Sequence, residues 1–274
     1  MKQGIKIFFN ILLYILIAIL MTGVVGVFVG LFGIFLGNSP NELKSIINNN
    51  IFILIIISYV FSLIMYKMVF SIKKEKFIKR FCFNKFEKTH LGYITMMAVG
   101  LSLIACSIMA IFKGEGSAYN SVLTNISSNG YKIFSVVLLV CVIPIFEEIV
   151  FRGLIFIELR RGLSFEISAV IQALIFGICH MDVVQGIYTF LLGLLLCFVY
   201  EGTVSIWSNI YLHGVFNLLG VLIVPLIMPS NVIIRCAYII IGIALVAFSS
   251  YKFYSVVDMP RKKAIQSFQP EYFL

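Results

Sequence analysis

What constrains this chain most is its succession of apolar stretches long enough to cross a lipid bilayer. "IFFNILLYILIAILMTGVVGVFVGLFGIFLG" fills residues 7–37 without a charged side chain. About 20 apolar residues per helix suffice to span a hydrocarbon core. The excess length predicts a first helix that is tilted, extended or broken near its glycines. The lack of a small-residue cleavage site argues against a removed signal peptide. Further stretches at 51–72, 91–113, 131–157, 166–181, 183–200, 205–227 and 232–251 bring the expectation to about eight transmembrane helices. The fold class is therefore all-α, a polytopic membrane helical bundle. The 166–181 and 183–200 stretches are short and nearly abut, as a tight helical pair or a partly re-entrant segment would. Composition agrees, with 61% hydrophobic and 12% charged residues and a mean hydropathy of +1.06. Soluble domains carry about 25% charged residues, so a soluble domain of useful size has no room here.

Lys and Arg orient the bundle. The connection "KKEKFIKRFCFNKFEKTH" (73–90) holds seven basic residues, and Lys252, Arg261, Lys262 and Lys263 follow residue 251. The loops at 38–50 and 114–130 hold one and none. The positive-inside rule then predicts that both termini and the 73–90 loop are cytoplasmic, which an even span count also requires. The net charge of +9 reads as a topology signal with attraction to anionic lipid. A nucleic-acid partner is not expected, because the basic residues flank spans and form no folded basic domain.

Cys82, Cys106, Cys141, Cys179, Cys197 and Cys236 are scattered without a CxxC, which supports neither a zinc knuckle nor a disulfide framework. Most fall in spans, where cysteine serves as a small apolar residue. Ionisable groups inside a membrane are costly and mark function by default. They include Lys67, Glu147, Glu148, Arg152, His180 and His213, with Asn209 and Asn217 as neutral companions. Lys67 lies near a span end and snorkels to the interface. His90 ends the basic loop and is expected to be solvated.

The remaining groups form a pattern. Glu148 and Arg152 are four residues apart, neighbours on one helix face, so they can pair. Glu147 points about 100° away and keeps a freer carboxylate, suited to general-base work. His213 and Asn217 share a face at the same spacing, and so do Phe176 and His180. Singly, each has a structural reading: an ion pair, an interhelical hydrogen bond, ordinary packing. Together, three helices each offer a polar group to one pocket.

In order along the chain, "EEIVFR" (147–152), "FGICH" (176–180) and "HGVFN" (213–217) match EExxxR, FxxxH and HxxxN. Over roughly residues 131–220 the chain thus resembles the CPBP family, the CAAX-protease and bacteriocin-processing (Abi) intramembrane proteases. The resemblance implies a glutamate-dependent peptidase of the bacterial plasma membrane whose cavity opens toward the cytoplasmic half. It assigns Glu147 to polarise water with His180 assisting. His213 and Asn217 stabilise the oxyanion, Arg152 orients the glutamate pair through Glu148, and Phe176 packs at the substrate site. The implied partner is a membrane-associated or secreted peptide or protein precursor held in the lipid bilayer, and no cofactor is expected. The alternatives are a zinc-dependent variant using His180, His213 and a glutamate, and a non-catalytic bacteriocin-immunity or scaffold protein. The chain divides into N-terminal helices with the basic loop (1–130), a catalytic core (131–220), and a last helix with its basic tail (221–274).

Overall fold

The computed structural model describes residues 2–73, 76–114 and 132–257. Among them the regular elements are all helices, with no strand. The helices are α1 (Lys2–Phe35), α2 (Pro40–Asn49), α3 (Ile51–Ile72), α4 (His90–Lys113), a composite α5 ending at Arg160, α6 (Phe165–Cys179), α7 (Val183–Thr203), α8 (Ile206–Leu218) and α9 (Val232–Val256). Among the described residues seven helical stretches are long and apolar enough to cross a membrane. The chain is thus a multi-pass membrane protein. The eighth expected span, 166–181, is the 15-residue α6, about 22 Å long at 1.5 Å per residue and too short to cross a 30 Å core. It pairs tightly with α7 instead.

α1 runs unbroken through its glycines. At about 51 Å it exceeds the bilayer core, and its exposed Phe8, Ile19, Val27 and Leu31 suit a lipid-facing surface. α3 docks on α1 through Tyr66, whose hydroxyl donates to the Tyr14 carbonyl at 2.8 Å, and through Phe70 stacked on Tyr14. Short amphipathic α2 links them, capped by Ser39 and Glu42 in a reciprocal capping box.

The basic loop is bound to the bundle. Buried Arg80 donates to the Gly153 carbonyl and pairs with Glu158, which also accepts from Asn10 at 2.7 Å. The Cys82 carbonyl accepts from Ile206 N–H, and Asn84 donates to the Val204 carbonyl. These contacts pin one end of the bundle, where α1 begins and α3, α5 and α7 end. His90 is not solvated as expected: it is 7% exposed, with its ring edge-on to Phe253 of α9 at 5.5 Å. The close packing of α4 on α9 covers it. Lys67 is exposed. The basic tail beyond 257 and most of the 114–130 loop lie outside the described residues.

α5 changes pitch four times. α-helical turns at Lys132–Val137, Ile143–Glu148 and Ile157–Arg160 alternate with π turns at Leu138–Val142 and Ile149–Phe156. Each π turn interrupts the regular hydrogen-bond ladder and re-aims the side chains after it. α8 likewise widens into a π turn at Leu219–Ile223.

Candidate active site

The two motif helices that carry most of the site are held together by α5's irregularity. The first π turn presents the Leu139 carbonyl, which accepts from Asn217 Nδ2 at 3.0 Å. Gly214, between His213 and Asn217, faces the same turn. A Cβ there would lie 2.9 Å from the Val140 carbonyl oxygen, so any larger residue would push α8 off α5. Glycine thus permits the approach that brings HxxxN to EExxxR.

Glu148 points inward. It is fully buried, and its Oε1 accepts from Arg152 Nη1 at 2.9 Å and lies 2.7 Å from His213 Nδ1. Its Oε2 accepts from Asn209 Nδ2 at 3.2 Å. Arg152, equally buried, also reaches the Gly193 carbonyl through Nη2 and sits over the Phe176 ring at 4.8 Å. A charge at this depth survives only when paired and hydrogen-bonded, and here each partner makes several contacts.

Glu147 points into a cavity of about 590 Å³ shared with His180, His213 and Asn217. Its carboxylate Oε2 lies 3.4 Å from His213 Nε2. Since Glu148 is an acceptor, His213 donates from Nδ1 to it, which turns Nε2 toward Glu147. One imidazole thereby bridges a buried carboxylate and a cavity carboxylate. The two glutamates, adjacent in sequence, occupy different environments, and only Glu147 meets the cavity.

His180 follows the last turn of α6. Its Nδ1 lies 2.8 Å from the Phe176 carbonyl, so the ring donates there and Nε2 keeps its lone pair. Phe176 is fully buried with its ring edge-on to His180 at 4.9 Å and to His213 at 5.9 Å. It is packing between the two imidazoles and Arg152 rather than a cavity wall, and it does not line the cavity. Met181, at φ +57°, turns the chain directly after His180, and Asp182 then caps α7 by accepting from Gln185 N–H. The hairpin closes tightly because Gly177 and Gly186 meet face to face, where a Cβ on Gly177 would lie 2.7 Å from the Gly186 carbonyl oxygen.

The expected site residues thus fall into two layers. Glu147, His180, His213 and Asn217 share the cavity, while Glu148, Arg152 and Phe176 stand behind it. Both His213 nitrogens face carboxylates; with Nδ1–H held by Glu148, Nε2 can donate to an oxyanion only in the protonated ring, and it must then turn from Glu147 to substrate. Asn217 has one N–H tied to Leu139 and one left for a ligand. Two residues were not foreseen. Asn209, noted only as a polar companion, ties Glu148 and donates to the Leu196 carbonyl at 2.8 Å. It stands four residues before His213, so 209, 213 and 217 form one stripe visible in the sequence. Tyr59 of α3 stacks on Phe146 at 3.6 Å and lines the cavity beside Glu147; no motif marks it.

Among the described residues no three His, Cys, Asp or Glu side chains are arranged to hold a metal ion. The described cysteines are all free.

The cavity and the basic loop lie at opposite ends of the bundle. Its walls are the first half of α3 (Phe52, Ile55, Tyr59), the end of α4 (Met109, Lys113) and the start of α7. All lie in the half of the bundle away from the basic loop. A cytoplasmic basic loop and a cavity opening to the cytoplasm therefore cannot both hold.

Comparison with known proteins locates the same region. Residues 129–219 match the family model described as type II CAAX prenyl endopeptidase Rce1-like. The chain is also 36% identical over 74 residues to the "Putative membrane peptidase YdiL" of Bacillus subtilis (strain 168). That alignment covers 27% of this chain and 30% of the relative, so it spans under a third of either protein. No solved structure matches the chain. Residues 129–219, which hold all three motifs, are thus the part of this membrane protein that is similar to the Rce1-like family.

Proposed function

We propose that this chain is an intramembrane endopeptidase that hydrolyses a peptide bond in a membrane-associated or secreted precursor. The observation that carries the reading is the Glu148–His213–Glu147 bridge, with only Glu147 opening onto the cavity. Water bound beside Glu147 gives it a proton as the oxygen attacks the scissile carbonyl carbon. The carbonyl oxygen takes the negative charge, and the free N–H of Asn217 donates to it, where a preplaced donor in a dry site has most effect. The C–N bond then breaks, and Glu147 returns its proton to the leaving amine. His213, held by Glu148 through Nδ1–H, fixes the Glu147 carboxylate through Nε2–H in its protonated form. His180 offers Nε2 to the same water. Support also comes from the Rce1-like match and from the relative's printed description as a membrane peptidase.

The test compares membrane and secreted peptides from cells carrying wild type and Glu147→Gln. The reading expects precursor fragments that vanish in the variant while the protein remains inserted. Identical peptide profiles, with the phenotype kept, favour a non-catalytic immunity or scaffold role and sink the reading.

A further inference from the structure

We infer that the cavity opens to the extracytoplasmic side and receives an uncharged, apolar segment of a peptide presented there, not a chain end in the cytoplasm. This rests on the peptidase reading for what happens to the segment, but not for where the mouth lies.

The first ground is charge asymmetry. Lys73, Lys76, Lys85 and Lys88 of the basic loop, Arg160 and Arg161 ending α5, and Lys252 near the end of α9 gather at one end. At the cavity end Lys113 is tied to Asp182. Arg235 there is buried, donating to the Pro229 and Ala110 carbonyls. Lys44 and Lys132 complete that end among the described residues. Loops rich in Lys and Arg stay cytoplasmic, so the mouth faces away from the cytoplasm.

The second ground is depth. Glu147 stands about midway along the Phe134–Arg160 span, and the walls run from it only toward the Lys113 end of the bundle. A cytoplasmic chain end would have to thread past Glu158, Arg80 and Arg152, which are buried and engaged. The third ground is chemistry. Phe52, Ile55, Met109, Leu139, Ile143 and Met228 make the walls apolar, and the cation at the rim is already paired. Such walls suit aliphatic or aromatic side chains and penalise an unpaired charge.

The experiment uses full-length protein in intact cells, in a background with the six native cysteines replaced. Met228→Cys at the mouth and Ser230→Cys in the following turn are treated with a membrane-impermeant maleimide, with Lys85→Cys as the opposite end. The inference expects Ser230→Cys and Met228→Cys to label in intact cells, and Lys85→Cys only after permeabilisation. Lys85→Cys labelling in intact cells while Ser230→Cys does not would overturn it. A second arm expresses two membrane-anchored apolar reporters, with the cleavable segment outside or inside. Cleavage of the outer reporter alone, abolished by Glu147→Gln, supports the full statement. Cleavage of the inner reporter alone overturns it. If neither is cut while labelling places the mouth outside, the peptidase reading and the substrate assignment fail and the orientation stands.

Discussion

Glu148 holds His213: its Oε1 lies 2.7 Å from Nδ1, while the opposite nitrogen, Nε2, faces Glu147 at 3.4 Å. Two neighbouring carboxylates are thereby separated into a structural and a chemical group. Glu147→Gln keeps shape but cannot accept a proton. It should cost about 10²–10⁴-fold in turnover, the usual worth of a general base, with an unchanged melting temperature in detergent. Glu148→Ala leaves Arg152 buried without its carboxylate and should cost about 3–5 kcal/mol of stability. If the melting curves of the two variants coincided, the division of roles would be wrong.

Asn217 and Asn209 flank His213 on one face of α8, yet they should separate in assay. Asn217→Ala removes the cavity donor and should lower kcat by about 10²–10³-fold, read with a peptide reporter on purified protein. Asn209→Ala removes one hydrogen bond to Glu148 and should cost about 1–3 kcal/mol through unsatisfied buried groups, with a smaller loss of turnover. A larger kcat loss for Asn209→Ala than for Asn217→Ala contradicts the oxyanion assignment.

Much of this was legible beforehand. The hydrophobic runs located the seven long helices, because lipid forces every backbone polar group into a helix, but they also counted the short α6 as an eighth span. The four-residue spacing of Glu148 and Arg152 foretold their contact. Asn209 was legible as a polar companion, and it repeats that spacing one turn before His213, but its tie to Glu148 depends on how α8 packs on α5. Tyr59 was not legible, because only the packing of α3 beside Phe146 brings it to the cavity. The π turns of α5 were not legible either. They coincide with contacts from α8, Asn217 on Leu139 and Gly214 against Val140, and no hydrophobic period encodes them. That the cavity lies in the half of the bundle away from the basic loop was not legible either, because hydropathy gives the spans but not the depth at which their polar residues meet.

At the cavity rim, Lys113 ends α4 and Asp182 begins α7. Hydrogen bonds from the Lys113 ammonium, and then from Gln185 N–H, hold the Asp182 carboxyl below its ordinary value. A carboxyl with a lowered folded-state value contributes stability above the unfolded value, and this is lost as pH falls through the folded one. Amide-exchange protection of α7's first turn should therefore hold from neutral pH down to about pH 4 and fall only below that. Asp182→Asn should abolish the acid dependence. Loss of protection already near pH 6 would assign the transition to another group.

Arg152 meets three partners at once: Glu148, the Gly193 carbonyl and the Phe176 ring. Arg152→Lys keeps the charge, but a compact ammonium cannot span carboxylate and carbonyl while sitting over a ring, so it should recover only part of the stability. Arg152→Met leaves Glu148 buried without its cation and should destabilise by about 3–5 kcal/mol. Adding Glu148→Leu removes the orphaned carboxylate, and buried pairs replaced by apolar residues commonly regain stability. The double variant should therefore melt well above Arg152→Met. It should remain inactive, because His213 has lost the acceptor that sets its tautomer and aims Nε2 at Glu147. Thermal unfolding in detergent and reporter turnover on the same preparations decide the matter. A double variant no more stable than Arg152→Met would mean that Arg152 acts through Phe176 and Gly193 alone. A double variant with restored turnover would mean that His213 needs no carboxylate behind it.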